Sequence, residues 1–180
     1  AKVVSDCMIT SPKEGQTVWG LKWHFQAEHY RNNRRTWKRD YLQGGGPIRF
    51  YGIQMIALLA QWGFDEVIKS EVRSSTKNGE QTFWRAIFRG ARLPEFRIEI
   101  DSNSVNPSFC VKNVSRGESL YSSSNIFGQI FPTNTSNPVD HRSLYLERLL
   151  AKTEDMGKAY SEQILAATNL WGLVESHTEF

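Results

Sequence analysis

The sequence predicts an α+β domain: an antiparallel sheet, a meander around residues 67–114, packed against a buried helix at about 48–62 and C-terminal helices at about 138–175. Three observations carry this expectation. Residues 17–27 alternate, with Trp19, Leu21, Trp23, Phe25 and Ala27 on one face and Gly20, Lys22, His24 and Gln26 on the other. That is the two-residue period of a half-buried strand with an aromatic inner face. Residues 48–62 are apolar almost all round, through Ile53, Met55, Ile56, Leu58, Leu59 and Trp62, and Gly63 follows as a natural stop. Residues 81–89 and 95–101 fit one hairpin register on both faces at once.

In that hairpin the turn falls at residues 90–94. Pairing Arg89 with Glu95 sets Arg85 opposite Glu99, giving two cross-strand ion pairs on the wet face. The same register sets Trp84, Ala86 and Phe88 against Ile100, Ile98 and Phe96 on the dry face. The preceding strand, 67–73, alternates on Ile68 and Val72. A two-residue turn at Asn78-Gly79 would place Val72 against Arg85, on the wrong face, so a longer loop or a bulge is expected there. Residues 108–114 and 119–131 read as further strands. At the C-terminus Asn137 suits an N-cap, Pro138 the first helical position and Asp140 the first turn. Leu144, Leu149, Leu150, Met156, Tyr160, Ile164, Leu165 and Trp171 then recur at helical spacing, and Gly157 divides the run into two helices.

A chain of 180 residues is long enough to bury a core, and one domain, 1–180, is expected. No apolar run approaches the roughly 18–20 residues of a membrane span. Ala1–Asp6 lacks the layout of a secretory leader, and two cysteines, Cys7 and Cys110, are too few for a disulfide framework. An intracellular, non-secreted protein with free thiols is expected, and the sequons at Asn113 and Asn134 read as chance matches.

Net charge is +3, and its placement is more informative. Residues 1–50 hold nine Lys/Arg against four Asp/Glu, whereas residues 138–180 hold four against seven. Within the basic front, residues 30–46 carry Arg31, Arg34, Arg35, Lys38 and Arg39 among Tyr30, Trp37 and Tyr41, and end in Gly44-Gly45-Gly46. If helical, the segment stacks Arg31, Arg35 and Arg39 on one face, a like-charge row that costs a few tenths of a kcal/mol per pair. Such a row points to an absent anion. Arginines can neutralise phosphates, aromatic rings can stack on unpaired bases, and a glycine turn before a helix is a generic anion site. The expectation is a non-enzymatic nucleic-acid-binding protein, for RNA or single strands rather than specific duplex DNA, using these eleven residues.

Two alternatives stand beside it. One is a self-assembling coat or nucleocapsid subunit, a homo-oligomer formed through an apolar patch around Leu165, Leu170, Trp171 and Leu173. The other is a metal-dependent nuclease built from Asp65, Glu66, Glu71, Glu95, Glu99 and Asp101, with Lys69 nearby. No cofactor is called for, since neither GxxxxGK[ST] nor GxGxxG occurs. No metal is called for either: His24, His29, Cys7 and Cys110 lack zinc-site spacing.

Overall fold

The computed structural model describes residues 17–74, 80–123 and 157–179. Strand β1 (Val18–Gln26) leads through a helical turn, α1 (Glu28–Arg31), and two 3₁₀ turns (Trp37–Arg39 and Tyr41–Gln43) to a π-helical turn at Pro47–Gly52. That turn runs without a break into helix α2 (Ile53–Trp62). Strands β2 (Glu66–Ser74), β3 (Gln81–Arg89), β4 (Glu95–Asp101), β5 (Asn103–Asn113) and β6 (Glu118–Ser123) follow. Helix α3 (Gly157–His177) and a short strand, β7 (Thr178–Glu179), complete the described chain.

The strands form one seven-stranded sheet in the order β6-β5-β1-β4-β3-β2-β7. The expected antiparallel meander over 67–114 is corrected here. β2, β3 and β4 are antiparallel neighbours, but β1 lies between β4 and β5, parallel to the first and antiparallel to the second. β7 adds a second parallel pairing, on β2. The sheet is therefore mixed. Local alternation gives a strand its faces but not its neighbours, and β1 finds both of its partners more than sixty residues away. Of the C-terminal helices expected at 138–175, the part after Gly157 is α3; residues 138–156, and 124–131 of the expected last strand, lie outside the described residues.

The hairpin register is as expected, with Arg85 opposite Glu99, Trp84 opposite Ile100 and Phe88 opposite Phe96. Its ion pairs are not. Arg85 turns to Glu71 of β2 at 2.7 Å, Arg89 faces Glu66, Glu95 holds Arg97, and Glu99 takes His24 at 2.7 Å and Lys22 of β1. Flanking strands offered nearer partners on the same face. A register shift between Arg73 and Ser74 supplies the expected bulge, and Val72 pairs with Trp84 rather than Arg85.

Helices α2 and α3 cover one face of the sheet. Ile56, Leu59, Leu170 and Val174 from the helices meet Trp19, Trp84, Ala86, Phe88, Phe96, Ile98 and Ile100 from the strands in one core. The approach is close at Gly52, where an added Cβ would lie 2.7 Å from the Trp84 ring. The Trp84 indole N–H donates to Ser70 Oγ at 3.0 Å, and Ser70 Oγ in turn meets Thr178 Oγ1 at 2.7 Å. This chain of bonds ties β7 to the sheet. Among the described residues no helix is long and apolar enough to cross a membrane.

Candidate functional site

The segment singled out by its charge crosses one end of the sheet. It is not one helix, so the arginine row does not form. Ala27 N–H donates to Ser102 O at the end of β4, α1 lasts a single turn, and Asn33 takes a left-handed φ of 45° that breaks it. Asp40 then caps the second 3₁₀ turn by accepting from Leu42 N–H at 2.9 Å. Asp40 here competes with helix by bonding the nearby backbone.

Most of its cations have internal partners, which removes the reason for an absent anion. Arg39 grips Glu80 through two bonds of 2.6 and 2.9 Å, with its guanidinium 4.9 Å from the Tyr30 ring centroid. Arg31 bonds Gln26 O, Arg34 faces Glu28 at 3.5 Å, and Lys38 sits 4.8 Å above the Phe50 ring. Arg35 is exposed and forms no ion pair among the described residues. Tyr30 and Tyr41 are structural: burial pushes both hydroxyls up to about 12, and the Tyr41 hydroxyl donates to Glu175 of α3 at 2.7 Å. Arg49 stacks 3.8 Å over Tyr41 and binds both carboxylate oxygens of Glu175, which holds that carboxyl below its usual range.

The glycines are equally committed. A Cβ on Gly45 would fall 2.3 Å from Trp37 O and 2.5 Å from the Lys38 carbonyl carbon, so Gly45 is where the turn packs on the 3₁₀ helix. Gly44 closes the Tyr41–Gln43 turn in the left-handed region, and Gly46 sits under Tyr41 and Gln81. Gly45, Gly46, Pro47 and Ile48 are all buried, so the backbone N–H groups here are closed to a phosphate. The glycine turn does not fit a dinucleotide's phosphates.

What the crossing builds instead is a wall of aromatic rings. Trp23 and Phe25, at the end of β1, lie 4.8 Å apart; Tyr51 meets Phe25 at 4.8 Å, Phe50 meets Tyr51 at 4.7 Å, and Trp37 meets Phe50 at 5.3 Å, mostly edge to face. Burial pushes the Tyr51 hydroxyl far above its ordinary value, so it stays protonated. Trp37 is 48% exposed. Beside it opens a cleft of about 590 Å³ lined by Arg35, Trp37, Arg39, Asp40, Glu80 and Gln81, among others. Of the predicted residues, Trp37 joins the wall and Arg35, Arg39 and Tyr41 join the cleft. Trp23, Phe25, Phe50 and Tyr51 read as core from the sequence. The one available signal was a density of rings too great for one strand and one helix turn to bury.

The alternative site does not assemble. Glu66, Glu71, Glu95 and Glu99 are each engaged by a cation, and Asp101 accepts from Asn103 N–H. No group of three or more possible metal ligands exists among the described residues. Nor do the C-terminal residues form one patch: Leu170 is core, Trp171 and Leu173 are half-buried, and Leu165 stands exposed.

No family model and no curated protein matches this chain. Solved structures do. A protein from Erwinia carotovora atroseptica named as an oxidoreductase superposes over 98% of this chain and 60% of its own, with a TM-score of 0.56 at 13% identity. A 3-ketoreductase from Actinomadura kijaniata, solved with NADP, superposes over 99% of this chain and 57% of its own, with a TM-score of 0.51 at 10% identity. The chain thus spans less than two thirds of the length of these neighbours. With most of the cations internally paired, this likeness overturns the expectation of a nucleic-acid-binding or coat-type protein and of a nucleic-acid partner; what it shows for this chain is a fold shared with part of an oxidoreductase.

Proposed function

We propose that this chain is the substrate-side domain of an oxidoreductase that works with a nicotinamide dinucleotide. The observation that carries the reading is the superposition of 98% of the chain on 60% of an oxidoreductase. The single sheet with its helices supports treating residues 1–180 as one domain. A bound nicotinamide would supply the hydride. This chain's own contribution is the wall of Trp23, Phe25, Trp37, Phe50 and Tyr51, an apolar, ring-lined surface that orients a flat reactant and excludes water around it.

The test is to titrate the protein with a panel of ketones and the matching alcohols by calorimetry. Saturable binding of at least one, weakened about tenfold or more in both Trp37→Ala and Phe50→Ala with unchanged circular dichroism, is the expected result; that loss is about 1.4 kcal/mol of binding free energy. No binding of any ketone or alcohol would sink the reading. Binding unaffected in both variants would remove the wall from it.

A further inference from the structure

The cleft beside Trp37 has a composition that the substrate-side reading does not require. Its floor is Gln81, the first residue of β3, whose side-chain Oε1 is buried and has no hydrogen-bond partner. A buried acceptor left unbonded is costly, and a bound ligand is one way to satisfy it. Next to it stands Gly46, where a Cβ would lie 3.7 Å from that same Oε1. With a φ of +85°, Gly46 is strained for any side chain, so no side chain at this position covers the amide.

One wall is the half-exposed Trp37 ring, held edge-on by Phe50 at 5.3 Å. Arg39 offsets Glu80 within the cleft, while Asp40, whose Oδ1 accepts from Leu42 N–H, keeps its negative charge on the side of the second 3₁₀ turn. Arg35 is left at the rim as the cation with no ion pair among the described residues. The cleft therefore offers a flat apolar face, a dry acceptor and an exposed guanidinium, in a volume of about 590 Å³ that suits a ligand of a few hundred daltons.

We propose that this cleft binds a planar heterocycle carrying an N–H donor and an anionic group, the chemistry shared by nicotinamide mononucleotide and adenosine monophosphate. The ring stacks on Trp37, its amide or amino N–H donates to Gln81 Oε1, and the phosphate takes Arg35 in the bidentate manner that arginine allows. The proposal does not rest on the oxidoreductase reading, which bears only on which of the two rings is preferred.

The experiment is a set of nuclear magnetic resonance titrations of the whole protein, following the Trp37 indole and Gln81 side-chain amide signals. Four probes are used: nicotinamide mononucleotide, adenosine monophosphate, nicotinic acid mononucleotide and inorganic phosphate. Saturable shifts of both signals are expected with at least one of the first two. Nicotinic acid mononucleotide, which puts a carboxylate where the amide donor was, should bind about tenfold more weakly than its amide. Gln81→Met and Arg35→Ala should each weaken the better probe by about tenfold or more. Gln81→Met should melt no lower than the parent, because it removes an unpaired polar atom from a buried place. Shifts with neither nucleotide at millimolar concentration overturn the proposal. So do shifts that inorganic phosphate alone reproduces, and affinities unchanged in both variants. A response to the nucleotides without binding of any ketone or alcohol would leave this site standing while the oxidoreductase reading falls.

Discussion

At Gly45 there is no room for a methyl group, because the carbonyl of Trp37 already occupies the place where Cβ would go. Gly45→Ala should therefore destabilise the protein by roughly 1–3 kcal/mol, the usual range for overpacking, and urea denaturation will read it. Trp37 should gain exposure in the same variant. His29 is a second sensitive residue. It is 7% exposed, its Nε2 has no partner, and burial together with Lys38 and Arg39 lowers its pKa from 6.5. The lowered value sets the sign. Above 6.5 the imidazole is neutral in both the closed and opened states, and the segment is fully stable; below 6.5 only the opened state takes up the proton readily. Amide protection around Arg31–Arg34, taken relative to intrinsic exchange at each pH, should fall as pH drops below 6.5, and His29→Gln should flatten that response. Equal protection at pH 5 and pH 8 would count against it.

At the scale of elements, the tie between Arg49, Tyr41 and Glu175 joins the π-helical turn to the last turns of α3. Arg49→Met removes three charge-assisted bonds, two to Glu175 and one to the Tyr41 carbonyl, and leaves Glu175 only the Tyr41 hydroxyl, so a loss of about 2 kcal/mol is expected. Because Glu175 is held below 4.5, its contribution is present above that pH and is lost as pH falls through the folded value. The acid limb of a stability-against-pH curve should accordingly flatten in the variant. The β3–β4 register was legible because Trp84, Ala86 and Phe88 can face Ile100, Ile98 and Phe96 in only one alignment that also keeps the charges wet. The partners of Arg85 and Glu99 were not legible, since they depend on which strands flank the hairpin. Similarly, residues 30–46 gave away their unusual chemistry but not its cause: Glu80 and Glu175 lie 41 and 126 residues from the arginines they hold.

For the whole molecule, the class of element was readable and the arrangement was not. Alternation found β1, and continuous apolarity found the helix after Pro47. Neither pattern states that β1 belongs between β4 and β5, and the likeness to part of the solved neighbours emerges only from that arrangement. Calorimetry with ketones and alcohols tests the function at this scale, as set out above.

The central place of β1 also fixes an order of events. A strand from residues 18–26 hydrogen-bonds to 95–101 and 103–113, so the middle of the sheet cannot close until the chain has been made as far as its fifth strand. Loop closure over such separations is slow compared with hairpin formation. During synthesis β2, β3 and β4 can zip together while β1 waits with both hydrogen-bonding edges unfilled, an exposed template for pairing with another copy. Aggregation of nascent or refolding chains should therefore be governed by this one strand, and a charged substitution at its buried Gly20, such as Gly20→Lys, would relieve aggregation only by disturbing the contact with Val114.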